Sequence, residues 1–283
     1  MKKVFPIAVI ASLVLISLAC SITTPTRTTT SGKTETFIIR EDYPPDGDVA
    51  RLNIEMGAGT LELSGGAPGL IDGEVYYNVS EWRPSIERSV NSLTVRQSNL
   101  ENVRITTDEI INDWVFKLGQ RPIHLTISAG AYKGTLDLSG VPLTNLSISD
   151  GASQSTVQFG QPNPIEMELL SYRTGASQVT LVGLANAGPS HLVFEAGAGS
   201  YTLDFSGPLQ RNMNVSITAG ISQVKIIIPE GVSARVTISG GLSNVQPLGT
   251  WNISNNVYES YGTGPLIDIS LSMGLGNLEL IQQ

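Results

Sequence analysis

The sequence predicts an all-β fold: a single-chain parallel β-solenoid, β-helix-like, with coils of about 22 residues and an irregular N-terminal β subdomain. Three observations predict it. A segment of two alternating apolar residues, a glycine and a second alternating apolar pair returns eight times, for example LNIEMGAGTLELSG at Leu52 and LVFEAGAGSYTLDFSG at Leu192. The motif glycines Gly130, Gly151, Gly175, Gly197, Gly220 and Gly241 keep a nearly constant spacing, a steady period that indicates stacked coils. Helical spacing of apolar residues is absent beyond Cys20, whereas period-two alternation, the mark of a strand with one buried face, is everywhere.

Taken from the N-terminus, Lys2 and Lys3 precede an apolar run from Phe5 to Ala19 that stops at Cys20. A basic start, an apolar middle and a small residue before a cleavage point are the layout of a secretory leader. The run, about 15 residues, is shorter than the roughly 17 to 25 that a membrane-spanning helix needs. Cys20 is the only cysteine, which rules out an intrachain disulfide. Its place after Leu18-Ala19 resembles the acceptor position of a bacterial lipoprotein, although Ser17 stands where Leu or Val is usual. That resemblance implies a signal peptide over 1–19 and lipid attachment at Cys20, anchoring the protein outside the cytoplasm. An uncleaved anchor, or plain secretion with a free thiol, are the alternatives. Residues 20–36 are rich in Thr and poor in bulky apolar side chains, so they read as a tether.

Residues 37–112 are expected to form the N-terminal subdomain and 113–283 the solenoid proper. The fifth and third residues before each motif glycine are bulky and apolar or aromatic in all eight copies, from Leu52/Ile54 through Leu170/Tyr172 to Ile269/Leu271. The glycine marks a corner that needs a positive φ or a close backbone approach. The interval from Gly57 to Gly130 leaves room for about three coils, and that from Gly241 to Gly274 for one coil with an insertion. Alternation at Val75, Tyr77 and Val79, at Leu93 and Val95, and at Trp114, Phe116 and Leu118 predicts capping strands, with a break near Thr106 to Asn112. Gln154, Gln178, Gln223 and Asn244 share one phase of the repeat, so stacking predicts an amide ladder.

GAGTLELSGG followed by VYYNVSEWRPSIE resembles the toast-rack N-terminal domain of bacterial envelope proteins, a domain of unknown function. From Asp113 onward, DWVFKL, ISAGAYKGTLDLSGVPLTNLSISDGAS and LIDISLSMGLGNLEL resemble the LiaF-like C-terminal domain of cell-wall-active antibiotic response proteins. The second resemblance implies an accessory role in cell-envelope stress sensing. Members of that family carry several transmembrane helices, which this sequence lacks.

Composition bounds the partners. The chain has 17 basic and 25 acidic residues, a net charge of −8, and loss of Lys2 and Lys3 with the leader brings it near −10. Nucleic acid and anionic lipid surfaces both demand a basic patch, so neither is expected as a partner. The two histidines, His124 and His191, occupy the same phase three coils apart, too distant to share a metal. Asp137 and Asp204, in TLDLSG and TLDFSG, with Glu62 and Glu279 as counterparts, fall in one outward phase. At roughly 14 Å apart, Asp137 and Asp204 exceed the roughly 5 to 9.5 Å of a glycosidase pair. The GAG and GLG triplets at Gly57, Gly197 and Gly274 lack the third glycine or the GK[ST] of a phosphate loop. No strained G-x-S-x-G elbow is present. The expectation is therefore no catalytic residue, no metal and no cofactor.

The segment from Leu248 to Pro265 exceeds the repeat period and sets Trp251, Tyr258 and Tyr261 among polar residues. Rings on a loop over a rigid scaffold suit sugar or protein recognition; alternatively they fold back to cap the last coils. Trp82-Arg83 is read as a structural corner. The function expected is that of a lipid-anchored envelope protein acting as a non-enzymatic scaffold or stress-signalling accessory through contact with an envelope protein. A glycan-binding or adhesive module using the aromatic insertion is the alternative, and a polysaccharide-active β-helix enzyme the third reading.

Overall fold

A computed structural model describes residues 27–29, 31–45, 49–98, 103–105, 110–241 and 244–283. The leader, Cys20 and part of the tether lie outside them, as do positions 106–109 of the expected break. Among the described residues no helix is long and apolar enough to cross a membrane.

The first half of the chain forms β1 (Arg27–Thr29), β2 (Glu35–Glu41), β3 (Ala50–Gly65), β4 (Ile71–Tyr77), β5 (Pro84–Arg88), β6 (Ser92–Gln97), β7 (Val103–Ile105), β8 (Asn112–Leu118) and β9 (Ile123–Asp137). The regular coils follow as β10 (Leu143–Gln158), β11 (Met167–Val182), a one-turn helix α1 (Leu184–Ala187), β12 (Pro189–Asp204) and β13 (Met213–Ile228). The chain closes with β14 (Ser233–Gly240), β15 (Asn244–Leu248), β16 (Asn252–Ser254), β17 (Val257–Ser260) and β18 (Leu266–Gln282). Sixteen of these share one sheet, and β1 pairs with β7 in a separate ribbon.

Each long strand carries its motif glycine at the centre and folds there into two arms. Link length requires this. A straight strand of 16 residues, the length of β11, spans about 53 Å, while the link 183–188 between β11 and β12 reaches about 21 Å at most. Side chains of the two arms accordingly meet. The rings of Phe194 and Tyr201, on opposite arms of β12, lie 5.2 Å apart, edge to face. Parallel, in-register pairing then sets like on like: Leu52, Leu125, Leu146, Leu170, Leu192, Val215, Ile269 and Val236 form one inward row. All eight are buried. A coil alone would expose this row, so stability comes from stacking.

The motif glycines meet the need for close approach. None of the eight has a positive φ. A methyl group on Gly130 would sit 2.5 Å from the Gly57 carbonyl oxygen, and one on Gly220 equally close to that of Gly197; Gly175 and Gly197 are confined in the same way. The column of glycines is what lets successive bends nest.

The stacking order departs from chain order at both ends. Copy one, β3, pairs directly with β9 along both arms, so no coils fill the interval between Gly57 and Gly130. The strands β4, β5, β6 and β8 instead leave the stack and cover its outer end, with β6 on the first arm of β3 and β8 on the second. At the other end, copy eight, β18, lies between β13 and copy seven, which is split into β14 and β15. Pro247 supplies the reason. It lacks a backbone N–H, so β15 can serve only as an edge, while β18 has no proline and is paired on both sides.

Antiparallel strands finish each end: β4 on β8 and β2 on β4, β5 on β6, and β17 on β14 with β16 beyond it. Arg88 of β5 pairs with Glu41 of β2, its Nε donating at 2.7 Å, which ties the two N-terminal caps together. The expected amide ladder forms with one interruption: Gln154 faces Gln178, Ser200 separates Gln178 from Gln223, and the inserted strand adds Asn277 between Gln223 and Asn244.

Candidate functional site

Trp251, Tyr258 and Tyr261 all lie on the C-terminal cap, but in different roles. Tyr258 is half-buried, opposite Val236 on β14 and Ile253 on β16, and packs on the core. Trp251 is also half-buried, and its indole Nε1 donates to the Leu248 carbonyl at 3.1 Å. Tyr261 is 71% exposed. Its hydroxyl accepts from Asn252 Nδ2 at 3.0 Å and donates to Glu259 Oε2 at 3.1 Å. Arg235 Nε donates to the other oxygen of Glu259 at 3.0 Å. The hydrogen bond from Arg235 holds the Glu259 carboxyl below the usual carboxylate range, and the one from Tyr261 adds to it.

Trp251 and Tyr261 form walls of a cleft of about 730 Å³, which Glu230, Gly231, Thr250, Asn252 and Gln282 complete. Hydrogen bonds donated by backbone N–H groups hold the walls in place. Thr250 N donates to Gln282 Oε1 at 3.0 Å, Glu230 N to the Gln283 carbonyl at 2.9 Å, and Thr263 N to the Gly231 carbonyl at 3.2 Å. The rings were visible in the sequence. Glu230 and Gln282 were not, because they stand far apart in the chain and only the inserted β18 brings them together.

The remaining residues singled out in the sequence have local roles. Asp137 Oδ1 accepts from Ser139 N at 3.1 Å and Asp204 Oδ1 from Ser206 N at 2.8 Å, so both close the turn after their strand. Glu279 pairs with Lys225 at 3.1 Å. Burial and, secondarily, the charge of Arg51 lower the His124 imidazole below its ordinary value, and His191 stands three strands away in the same row. Among the described residues no group of three His, Cys, Asp or Glu side chains could hold a metal. Trp82 is buried, and the Arg83 guanidinium lies 5.7 Å from the Phe37 ring centre, a contact within the N-terminal cap.

One cluster escaped the sequence reading. Asp150, 8% exposed, sits just before the bend of β10, facing inward where the other strands carry Met56, Ala129, Thr174, Ala196, Ala219 and Met273. Tyr172 OH donates to its Oδ2 at 2.9 Å; Thr174 Oγ1 and Ser177 Oγ donate to Oδ1 at 2.5 and 3.2 Å. Ser155 Oγ lies 2.6 Å from Tyr172 OH, and Tyr132 OH 3.4 Å from it. Burial pushes the Tyr132 phenol up to about 12 and raises that of Tyr172 further. The carboxylate is satisfied by hydroxyls of the neighbouring strand β11, with Ser155 and Tyr132 extending the network to β10 and β9, which pins the bend.

Fold and surface together define a repeat scaffold: a capped parallel β-solenoid with an aromatic-walled cleft at its C-terminal end. The chain belongs to the family described as the N-terminal domain of toast_rack, DUF2154, whose model matches residues 28–169. No curated protein matches it. Among solved structures it is similar to a candidate cell adhesion protein from Clostridium sporogenes, at 20% identity and TM-score 0.49, over 89% of this chain and 99% of that one. It is also similar to candidate adhesins from Bacteroides fragilis, at 11% identity and TM-score 0.42 over 89% and 99%, and from Parabacteroides merdae, at 12% and 0.36 over 90% and 99%.

Proposed function

We propose that the protein is a lipid-anchored, extracytoplasmic module of the bacterial cell envelope that acts by contact and not by turnover. One observation carries the reading: three of the four acids singled out in the sequence, and two more that the structure adds, are engaged in holding the scaffold. Asp137 and Asp204 close turns, Glu279 and Glu259 are paired with Lys225 and Arg235, and Asp150 is covered by hydroxyl donors. The leader over 1–19, with Cys20 directly after it, and the Thr-rich tether support placement outside the cytoplasm. The resemblance of residues 113–283 to the LiaF-like domain supports an envelope protein as partner, in a scaffold or stress-sensing role. In-cell crosslinking of the lipidated chain, beside Cys20→Ala, is expected to capture one membrane protein reproducibly and to lose it in the variant. Turnover of an envelope polysaccharide by the purified chain overturns the proposal.

A second reading, a glycan-binding or adhesive module, is favoured by the cleft that Trp251 and Tyr261 share.

A further inference from the structure

We infer that the C-terminal cleft is a binding site for uncharged pyranose rings with equatorial substituents, with Tyr261 as its stacking platform and Glu230, Asn252 and Gln282 as its polar contacts. This rests on the second reading above and adds the ligand class and the residues. Three observations point to it.

The first is the state of Tyr261. An exposed aromatic ring ordinarily swings freely and loses that freedom on binding. Here the hydroxyl is held from both sides, by Asn252 at 3.0 Å and Glu259 at 3.1 Å, and Glu259 is itself held by Arg235 at 3.0 Å. The ring is therefore fixed before any ligand arrives, which lowers the ordering cost of stacking.

The second is chemistry. The described lining residues offer two aromatic rings, two amides, two hydroxyls and a single charge, the carboxylate of Glu230. An equatorially substituted pyranose has apolar C–H faces for Tyr261 and Trp251 and a rim of hydroxyls for the polar side chains. With no Lys or Arg among those lining residues and one carboxylate present, the cleft disfavours uronates, phosphates and sulfates.

The third is rigidity. The cleft draws on Glu230 and Gly231 from one turn, residues 250–252 from the insertion, and Gln282 from the inserted strand. Hydrogen bonds at 2.9 to 3.2 Å join these pieces. Of the three tryptophans, Trp82 and Trp114 are buried in the N-terminal cap and only Trp251 lines the cleft, so its fluorescence reports occupancy there.

The test is calorimetric and fluorescence titration of the full chain, in a detergent without a sugar headgroup, with cellohexaose, chitohexaose and an oligogalacturonate. We expect a neutral oligomer to bind with a change in Trp251 emission, and the oligogalacturonate to bind at least tenfold more weakly. Tyr261→Ala should weaken binding roughly tenfold, and Tyr261→Phe, which keeps the ring but loses both anchors, by about two- to fivefold. Tyr261 is exposed, so both variants retain the fold, which circular dichroism checks. Binding by wild type that Tyr261→Ala leaves unchanged overturns this site while the glycan reading survives. No binding of either neutral oligomer overturns the site and that reading together, and preferential binding of the anionic oligomer overturns the ligand class.

Discussion

The five strands from β9 to β13 and the elements after them are built from the same repeat, yet they assemble by different rules. Within the first group each strand pairs with its neighbours in sequence, one period away. In the second, β14 and β15 meet no neighbour in the stack until β18, which enters between them and β13. The inward rows continue across both groups, with Val215, Ile269 and Val236 in line. Register and order therefore have separate causes. Register comes from apolar spacing around a glycine; order comes from which copies can be hydrogen-bonded on both edges.

Removing β18 breaks the comparison most severely. A chain ending at residue 265 is expected to lose hydrogen-exchange protection over 233–260 altogether while β9 to β12 keep theirs. Equal loss across the stack would show that the two regions form one cooperative unit.

A methyl group in the glycine column comes next. Gly197→Ala, confined between strands paired on both sides, should cost about 3 kcal/mol in denaturant unfolding. Gly241→Ala, next to the edge, should cost about 1 kcal/mol, because the end of β14 can give way.

Within the regular coils, Tyr172→Phe removes the donor to Asp150 and the contact with Ser155 and should cost about 1 to 2 kcal/mol. The same cluster gives an alkaline signature. The Tyr132 phenol is raised in the fold, so its contribution is complete below pH 10 and is lost as the pH climbs toward about 12. Tyr132→Phe should flatten that limb of the stability profile.

The smallest effect on stability sharpens the account of the edge. Pro247→Val should change unfolding by about 0.5 kcal/mol or less, but it restores an N–H to an exposed edge. Sedimentation should then show concentration-dependent association that the parent chain lacks.

The repeat core could be read from sequence because its information is local. Leu170 and Tyr172 before Gly175, and Leu181 after it, specify a bent strand without reference to anything distant. The order of strands could not, since it turns on the pairing capacity of one proline and on a strand that follows only after the insertion. The N-terminal excursion was visible only as scattered alternation, because its strands cap the stack and do not continue its period. Asp150 beside Gly151 reads like a turn residue; its inward phase, shared with Ala129 and Thr174, was the signal that it was buried. For the cleft, composition exposed the aromatic rings but not the side chains opposite them, which topology alone supplies.

The inserted strand also sets a schedule. Coils from β9 to β13 can dock one after another as the chain is synthesised, because each partner has already emerged. The stretch from 233 to 260 cannot: its apolar face and its ladder bonds wait for residues 266–282. A chain that folds as it emerges passes through an interval in which the stack stands finished and its lid hangs open, with the β13 edge bare. The last strand works as a latch, closing the edge of the growing sheet and seating the cap in one event.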